Sequence, residues 1–288
     1  MDTDLAWHRL HARLQKDGLL DVTAASAETS QGASAKPFIK PSVRASARVR
    51  VGVAAAIIAL CVGVGAWFAG DRGDAPFITL YNEKGSATLV TTLEDGSVVF
   101  LAGDSRLRYP ERFPLSAKRE VSLTGRAMFD VRGDSGRPFV ITTPRANVEV
   151  VGTVFDLRSP ETGAFGLSVR EGEVKVTSTA DGLYLYAGAG ETVTLTASGS
   201  LLSGETGSYP FGLYEGRIRF KDEKLINILR VINNRGTGLT LHTTPSLESR
   251  RITVTFTDPE AESVAALICA AFNLLCKRED NTLLITEP

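Results

Sequence analysis

A run of twenty residues without a charge or a proline, VGVAAAIIALCVGVGAWFAG, occupies positions 51–70. A helix rises about 1.5 Å per residue, so this run reaches about 30 Å, the thickness of the hydrocarbon core of a bilayer. Because no water is available there, a spanning segment must satisfy its own backbone hydrogen bonds, as a helix does. The sequence therefore predicts a transmembrane helix over residues 51–70.

The charges beside this run predict its orientation. Five basic residues and no acidic residue lie within positions 36–50, whereas Asp71, Arg72 and Asp74 follow the run. The excess of basic residues places the N-terminus in the cytoplasm and residues beyond 70 outside it. Two other interpretations stay open: a cleaved signal peptide with a cleavage context at 64–66, and a core helix of a globular domain.

Composition limits the partners and cofactors. The net charge is −1 and no element gathers Lys and Arg, so we expect membrane lipid but no direct nucleic-acid partner. We expect no metal and no cofactor, since there are three histidines and no cluster with ligand spacing. Cys61 lies in the predicted membrane helix. Cys269 and Cys276 would be exported, and whether they form a disulfide is left open.

The arm before the membrane, residues 1–50, combines a short helix at about 3–17 with a flexible linker rich in Ala, Ser and Pro. Trp7, Leu10 and Leu14 fall on one face of this helix, and Gly18 is placed to end it. A helix this short is marginal alone in water. It would fold either on a cytoplasmic partner protein or on the lipid surface.

Beyond the membrane, residues 77–205 consist of short runs rich in Val, Thr, Leu and Phe, divided by turn residues such as Asp95-Gly96 and Gly133-Asp134. No helical pattern interrupts them. The sequence predicts a mainly-β domain built as a sandwich, a roll or a β-helical stack.

The pattern changes over residues 213–286, which predict a small α+β domain in the order β-α-β-β-α-β, with helices on one face of a sheet and two final strands around Asp280-Asn281. The first helix would bury Leu225, Ile228, Leu229 and Ile232. The second, with Asp258 as cap and Pro259 at its first position, would bury Val264, Leu267, Ile268 and Ala271. An edge strand of such a sheet can receive a partner's strand, and the candidate docking residues are Ile252, Val254 and Phe256.

No motif indicates an enzyme acting on another molecule. Asp134-Ser135-Gly136 and Gly188-Ala189-Gly190 are typical of turns, and there is neither a nucleophile elbow nor a P-loop. Gly152-Thr153 could support an intramolecular reaction, because a Thr hydroxyl can attack the carbonyl of the preceding residue. The same dipeptide is common at a bend in a strand.

Four stretches of the exported part resemble the central domain of FecR-type anti-sigma factors, over residues 88–177. They are LEDGSVVFLAGDSRLRYPERF, REVSLTGRAMFDV, RPFVITTPRANVEVVGTVFDL and VREGEVKV. Residues 213–286 are similar to the short N-terminal domain of secretins and TonB-dependent receptors.

The resemblance implies a membrane-anchored, multidomain regulator in the bacterial inner membrane, with a single pass, a cytoplasmic N-terminus and a periplasmic C-terminus. In such proteins the signalling domain of a TonB-dependent outer-membrane receptor contacts the periplasmic C-terminal domain. The cytoplasmic arm, here the helix with Trp7, Leu10 and Leu14, regulates an extracytoplasmic-function sigma factor. Some members cleave themselves at the Gly-Thr that is Gly152-Thr153 here, and intramembrane and periplasmic proteases are expected partners. The alternative is a membrane-tethered module that binds glycan or a secretin-like envelope assembly.

Overall fold

The computed structural model describes residues 76–115, 118–196, 199–205, 210–214, 216–236, 238–257 and 259–288. All of them belong to one compact unit, Arg72–Pro288. The predicted membrane helix at 51–70 and the arm with Trp7, Leu10 and Leu14 lie outside the described residues. Among the residues that are described, no helix has the length and apolar character needed to cross a bilayer.

The first part of the described chain is built of strands. They are β1 (Phe77–Asn82), β2 (Thr88–Thr92), β3 (Val98–Leu101), β4 (Ser105–Pro110), β5 (Arg119–Asp130), β6 (Phe139–Thr142), β7 (Ala146–Val150), β8 (Val154–Ser159), β9 (Gly166–Glu171), β10 (Glu173–Ser178), β11 (Tyr184–Gly188), β12 (Glu191–Leu195) and β13 (Leu201–Glu205).

The second part mixes helices and strands. Its elements are a 3₁₀ helix (Pro210–Tyr214), β14 (Arg217–Lys224), α1 (Leu225–Asn233), β15 (Thr240–Thr243), α2 (Pro245–Glu248), β16 (Arg251–Thr257), α3 (Ala261–Phe272), β17 (Leu275–Glu279) and β18 (Thr282–Thr286).

The strands of the first part form two facing layers that share the long strand β5. In one layer the order is β1-β4-β5-β6-β7-β10-β11, and in the other β2-β3-β5-β8-β9-β12-β13. The first half of β5 pairs with β4 and β6, and the second half pairs with β3 and β8. Gly125, with a φ of +106°, lies where β5 passes between the layers. The mainly-β prediction is confirmed, and the arrangement is a sandwich.

The sandwich core follows from the alternation of apolar and polar residues along each strand. In β5 the side chains of Val121, Leu123, Ala127 and Phe129 are at most 3% exposed, and they share one core cluster with residues of both layers. Phe129 stacks on Phe155 of β8 with ring centroids 5.4 Å apart. The residues of β5 that alternate with these four point to the opposite side of the layer, where Met128 is covered by the second part of the chain.

The second part packs on the outer side of the β2-β3-β5 layer and continues its sheet. β14 pairs in parallel with β2 and antiparallel with β16, while β15, β18 and β17 form a separate three-stranded sheet. A single core cluster contains residues of α1, α3, both sheets and two side chains of the sandwich, Val90 and Val98. The predicted single sheet with helices on one face is therefore wrong. The alternation of apolar and polar residues identifies a strand but not the strands that it pairs with, and β14 pairs with β2 of the sandwich.

The two longer helices differ in how well the sequence predicted their buried faces. The predicted face of α1 is confirmed, since Leu225, Ile228, Leu229 and Ile232 are all buried. In α3 the prediction is confirmed for Val264 and Ile268, which are buried. It is wrong for Leu267 and Ala271, which are exposed, and Ala265 and Cys269 are buried instead. This helix is apolar around most of its circumference, so its periodicity fits two faces equally well. It begins at Ala261 with Glu260 as N-cap, so the prediction of Pro259 at its first position is wrong, and Asp258 lies outside the described residues.

Candidate functional site

The most buried charge of the described residues is Arg119 at the start of β5, whose side chain is 1% exposed. Its Nη1 donates to Asp95 Oδ2 at 2.7 Å and to the carbonyl of Arg132 at 2.9 Å. Its Nε donates to the carbonyl of Arg137 at 2.8 Å, and its Nη2 to that of Val151 at 3.1 Å. We call this set of contacts the Arg119 clamp, because it joins four chain segments at one end of the sandwich.

The carboxylate of the clamp is also fully bonded. Asp95 accepts hydrogen bonds from the backbone N–H and the hydroxyl of Ser97, and the Ser97 hydroxyl accepts one from the backbone N–H of Arg132. A buried ion pair compensates its desolvation only with such additional hydrogen bonds. The clamp contains no free nucleophile or base, so its geometry supports a structural role rather than catalysis.

One segment that the clamp holds leads directly into Gly152-Thr153. Thr153 is 3% exposed, and its hydroxyl donates to the carbonyl oxygen of Glu173 at 2.9 Å. Its own carbonyl accepts from the N–H of Val131 at 3.0 Å. Self-cleavage would require the hydroxyl to leave Glu173 and attack the Gly152 carbonyl carbon. Self-cleavage at Gly152-Thr153 stays a prediction.

The backbone is unusually crowded around this dipeptide. A Cβ atom added at Gly152 would lie 2.6 Å from the Cα of Gly133, and one added at Gly172 would lie 2.8 Å from the Gly152 carbonyl oxygen. Real Cβ atoms do not approach other heavy atoms so closely. Residues 152 and 172 must therefore be glycine, because there is no room for a Cβ where the chain around residues 133, 152 and 172 comes together. Packing alone explains the glycine of the sequence pattern V-G-T.

A second polar network joins the sandwich to the C-terminal part. Tyr214, at the end of the 3₁₀ helix, donates its hydroxyl to Asp156 of β8, and Arg126 of β5 donates to the same carboxylate from Nε and Nη2 at 3.0 Å each. Burial raises the pKa of Tyr214 well above its ordinary value, and the Asp156 charge adds to the rise. The tyrosine therefore stays neutral and holds the connecting segment against the sandwich.

A cavity of about 720 Å³ opens beside this network. The sandwich contributes Phe100, Asp130 and Arg170 to its walls, and the C-terminal part contributes Val231 and Glu260. Burial raises the pKa of Asp130 above its ordinary value, although the nearby Arg170 charge opposes the rise. The walls mix apolar and charged groups, but none of the described wall residues has an unpaired buried group that points to a particular ligand.

The predicted docking strand lies at a sheet edge. β16 pairs with β14 on one side and has no strand on the other among the described residues. Ile252 and Phe256 are 2% and 5% exposed, and Val254 is half-buried against the same core. These three side chains point inward, so a partner that adds a strand here would contact the backbone of β16 rather than them.

The outer face beside this edge forms a shallow basic groove of about 460 Å³. Arg217 and Arg219 of β14 and Thr253 and Thr255 of β16 line it together with the turn at 85–87. Neither arginine side chain has an ionic or hydrogen-bonding partner within the part of the chain that the structure describes. The edge and the groove together suit an extended segment that carries carboxylates.

Sequence reasoning missed the Arg119 clamp and the Tyr214 network. One signal was present in the sequence. Arg119 alternates in step with Val121 and Leu123 along β5, so its side chain should point to the same side as theirs, into the core. Asp156 has the opposite parity to Phe155 and Leu157, and nothing in the sequence indicated that the outer face of β8 is covered. No group of three His, Cys, Asp or Glu side chains with metal-site geometry occurs among the described residues.

Comparison with known proteins adds to this geometry. No curated protein sequence matches the chain. Two crystal structures of a proposed anti-sigma factor from Parabacteroides distasonis ATCC 8503 are similar to it, each with a TM-score of 0.45. One, at 2.50 Å resolution, is 21% identical and covers 74% of this chain and 100% of that one. The other, at 1.65 Å, is 22% identical and covers 73% and 99%.

The sequence profile of the family described as FecR protein matches residues 82–175. This range runs from the end of β1 into β10 and includes Asp95, Arg119, Thr153 and Asp156. It therefore spans the clamp, the Gly152-Thr153 dipeptide and the carboxylate that receives Tyr214. Over these residues the chain is similar to the FecR protein family.

Proposed function

We propose that the chain is a single-pass inner-membrane anti-sigma factor. It would relay a signal from the N-terminal signalling domain of a TonB-dependent outer-membrane receptor to an extracytoplasmic-function sigma factor in the cytoplasm. The match of residues 82–175 to the FecR family carries the proposal. The apolar run at 51–70, with basic residues before it, supplies the membrane crossing that such a relay needs.

In this proposal the cytoplasmic helix binds the sigma factor through Trp7, Leu10 and Leu14. Binding of the receptor outside would change the balance between the sigma-bound and released states, with help from intramembrane and periplasmic proteases. A receptor can change that balance only by its difference in affinity for the two states. The chain has no substrate of its own in this mechanism.

The binding of the sigma factor tests the proposal. Trp7→Ala removes a large aromatic anchor, and we expect it to weaken sigma binding about 30-fold or more, since anchors of this kind contribute about 2 kcal/mol or more. Arg9→Ala is the matched control, because residue 9 lies about 200° around the helix from residue 7. Affinity of the full chain in detergent for the sigma factor is the measurement. Equal affinities of the two variants would show that this helix face is not the contact.

The receptor would dock on the β16 edge and the basic groove beside it. The support is the unpaired edge of β16 and the two arginines without ionic partners, Arg217 and Arg219. An added strand would bond to the backbone, and carboxylates of the incoming segment would lie near the guanidinium groups.

Charge reversal in the groove tests the docking site. We expect Arg219→Glu to weaken binding of the receptor's signalling domain about tenfold or more, because a like charge at an interface costs more than 1.4 kcal/mol. Arg230→Glu makes the same charge change on the exposed side of α1, outside the groove, and should leave the affinity nearly unchanged. Titration calorimetry at low and moderate salt is the measurement. A weakening of the same size in both variants would place the receptor elsewhere.

The second candidate is a tethered module that binds glycan or an envelope assembly. One observation favours it: Tyr184 and Tyr186 of β11 are 60% and 53% exposed on an edge strand, with ring centroids 5.8 Å apart, and Lys175 lies 4.7 Å from the Tyr184 ring. Exposed aromatic pairs are suited to sugar faces. A chain that bound glycan and no sigma factor would support this candidate over the first.

A further inference from the structure

Two cysteines lie at the interface between α3 and the three-stranded sheet. Cys269 belongs to the buried stripe of α3, and Cys276 is the second residue of β17. Both are thiols in the structure, one buried and one exposed. We propose that Cys269 and Cys276 form an intramolecular disulfide that joins α3 to β17.

The strand register places Cys276 on the face that α3 covers. Cys276 lies directly opposite Ile285 of β18, and Arg278 lies opposite Leu283. Opposite residues of an antiparallel pair project on the same side. Ile285 and Leu283 are 0% and 7% exposed, so this side is the inner one.

The connection between α3 and β17 brings the two positions to the same height. The chain turns back at Asn273, which has a φ of +52°, so helix and strand run in opposite directions. Cys269 is three residues before the last residue of α3, about 4.5 Å along its axis, and Cys276 is one residue, about 3.3 Å, into β17. The ion pair between Glu262 and Arg278 at 3.4 Å, near the other end of both elements, shows the same alignment.

The thiols themselves are neighbours. Burial raises the pKa of the Cys269 thiol to about 12, and the neighbouring Cys276 thiol adds to the rise. The exposed Cys276 is therefore the thiol that a soluble oxidant meets first, because the thiolate is the reactive form and needs access to its target.

Oxidised glutathione, or a protein disulfide of the exported compartment, supplies the oxidant. The Cys276 thiolate attacks one sulfur of that disulfide and displaces one thiolate. The Cys269 thiolate then attacks the Cys276 sulfur and displaces the second. Two cysteine protons are released, one sulfur–sulfur bond forms in the chain, and the external disulfide is reduced to two thiols. The pairing depends on the geometry alone, whereas its occurrence in cells also depends on the proposed export of residues after 70.

The test uses the full chain in detergent with Cys61→Ser, so that only these two thiols remain. Trypsin releases both in one peptide, 252–277, because no Lys or Arg lies between Arg251 and Lys277. After treatment with oxidised glutathione we expect this peptide to be lighter by two hydrogen atoms and to resist alkylation. We also expect the melting temperature to rise by a few degrees relative to the reduced chain. Cys269→Ser in the same background should keep a mixed disulfide at Cys276 and show no such rise.

Two alkylated cysteines, or a stable mixed disulfide in the chain that still has both cysteines, would overturn the pairing. A second arm blocks thiols in intact cells before lysis. Cysteines that pair in detergent but are alkylated in cells would overturn the proposed export and leave the pairing standing, so the two failures are distinguishable.

Discussion

Arg119→Met is expected to destabilise the folded unit Arg72–Pro288 by about 3–5 kcal/mol, because it leaves the Asp95 carboxylate buried without its ionic partner. The three carbonyl groups of residues 132, 137 and 151 would lose their common donor at the same time. Urea unfolding of residues 72–288, followed by circular dichroism, measures the loss. Much of the net stability of a typical domain would be removed by this one change.

The neighbouring residue provides the control. Lys118 pairs with Glu149 at 3.0 Å, but its side chain is 51% exposed, and an exposed pair contributes about 1 kcal/mol at most. Lys118→Met should therefore unfold at nearly the same urea concentration as the natural chain. Adding Asp95→Asn to Arg119→Met should recover part of the loss, since no unpaired charge then remains. If the Arg119 and Lys118 variants were equally stable, the clamp would not be the source of stability.

Gly125→Ala is expected to cost about 3 kcal/mol. A Cβ at this position would lie 2.5 Å from the Oγ and 2.7 Å from the Cα of Ser105, and the φ of +106° is strained for any residue with a side chain. The clash also displaces the Ser105 hydroxyl, which accepts the backbone N–H of Arg126 at 2.8 Å. Because β5 crosses between the layers at this residue, both sheets would be affected.

Gly182→Ala separates strain from clash. Gly182 also has a positive φ, +73°, but a Cβ there would meet no atom within 4 Å. We expect a loss of about 1 kcal/mol, from the backbone conformation alone. The same urea experiment compares the two variants. Equal losses would mean that Ser105 moves aside without cost and that β5 tolerates a side chain at the crossing.

The local structure of the C-terminal part was predictable where one pattern excluded the others. In α1, apolar residues recur on one face with polar residues on the other, so Leu225 and Ile232 were assigned correctly. In α3, Leu267 and Cys269 are both apolar, and only the position of the three-stranded sheet decides that Cys269 is buried. Periodicity carries no information about that position.

Pairing between distant strands could not be predicted for a different reason. β2 and β14 are separated by more than a hundred residues, and their side chains alternate as those of any strand would. Polar bonds also reinforce this pairing of β2 with β14, for example the Thr92 N–H that donates to Glu223 at 3.0 Å. The residues that make them are of types common on protein surfaces, so the sequence does not single them out. The alternation along β5 did indicate that Arg119 is a buried charge, but its partners come from three other segments that no local pattern relates.

The joint between β2 and β14 also determines where this chain can be cut. Val90 and Val98 are buried only because the C-terminal elements cover them, and β2 gives one of its two hydrogen-bonding edges to β14. A chain truncated before residue 217 would present that bare edge beside two uncovered valines, a combination that promotes aggregation of β proteins. Degradation from the C-terminus would therefore turn the remaining sandwich into a target for chaperones and further proteolysis, instead of releasing an intact fragment.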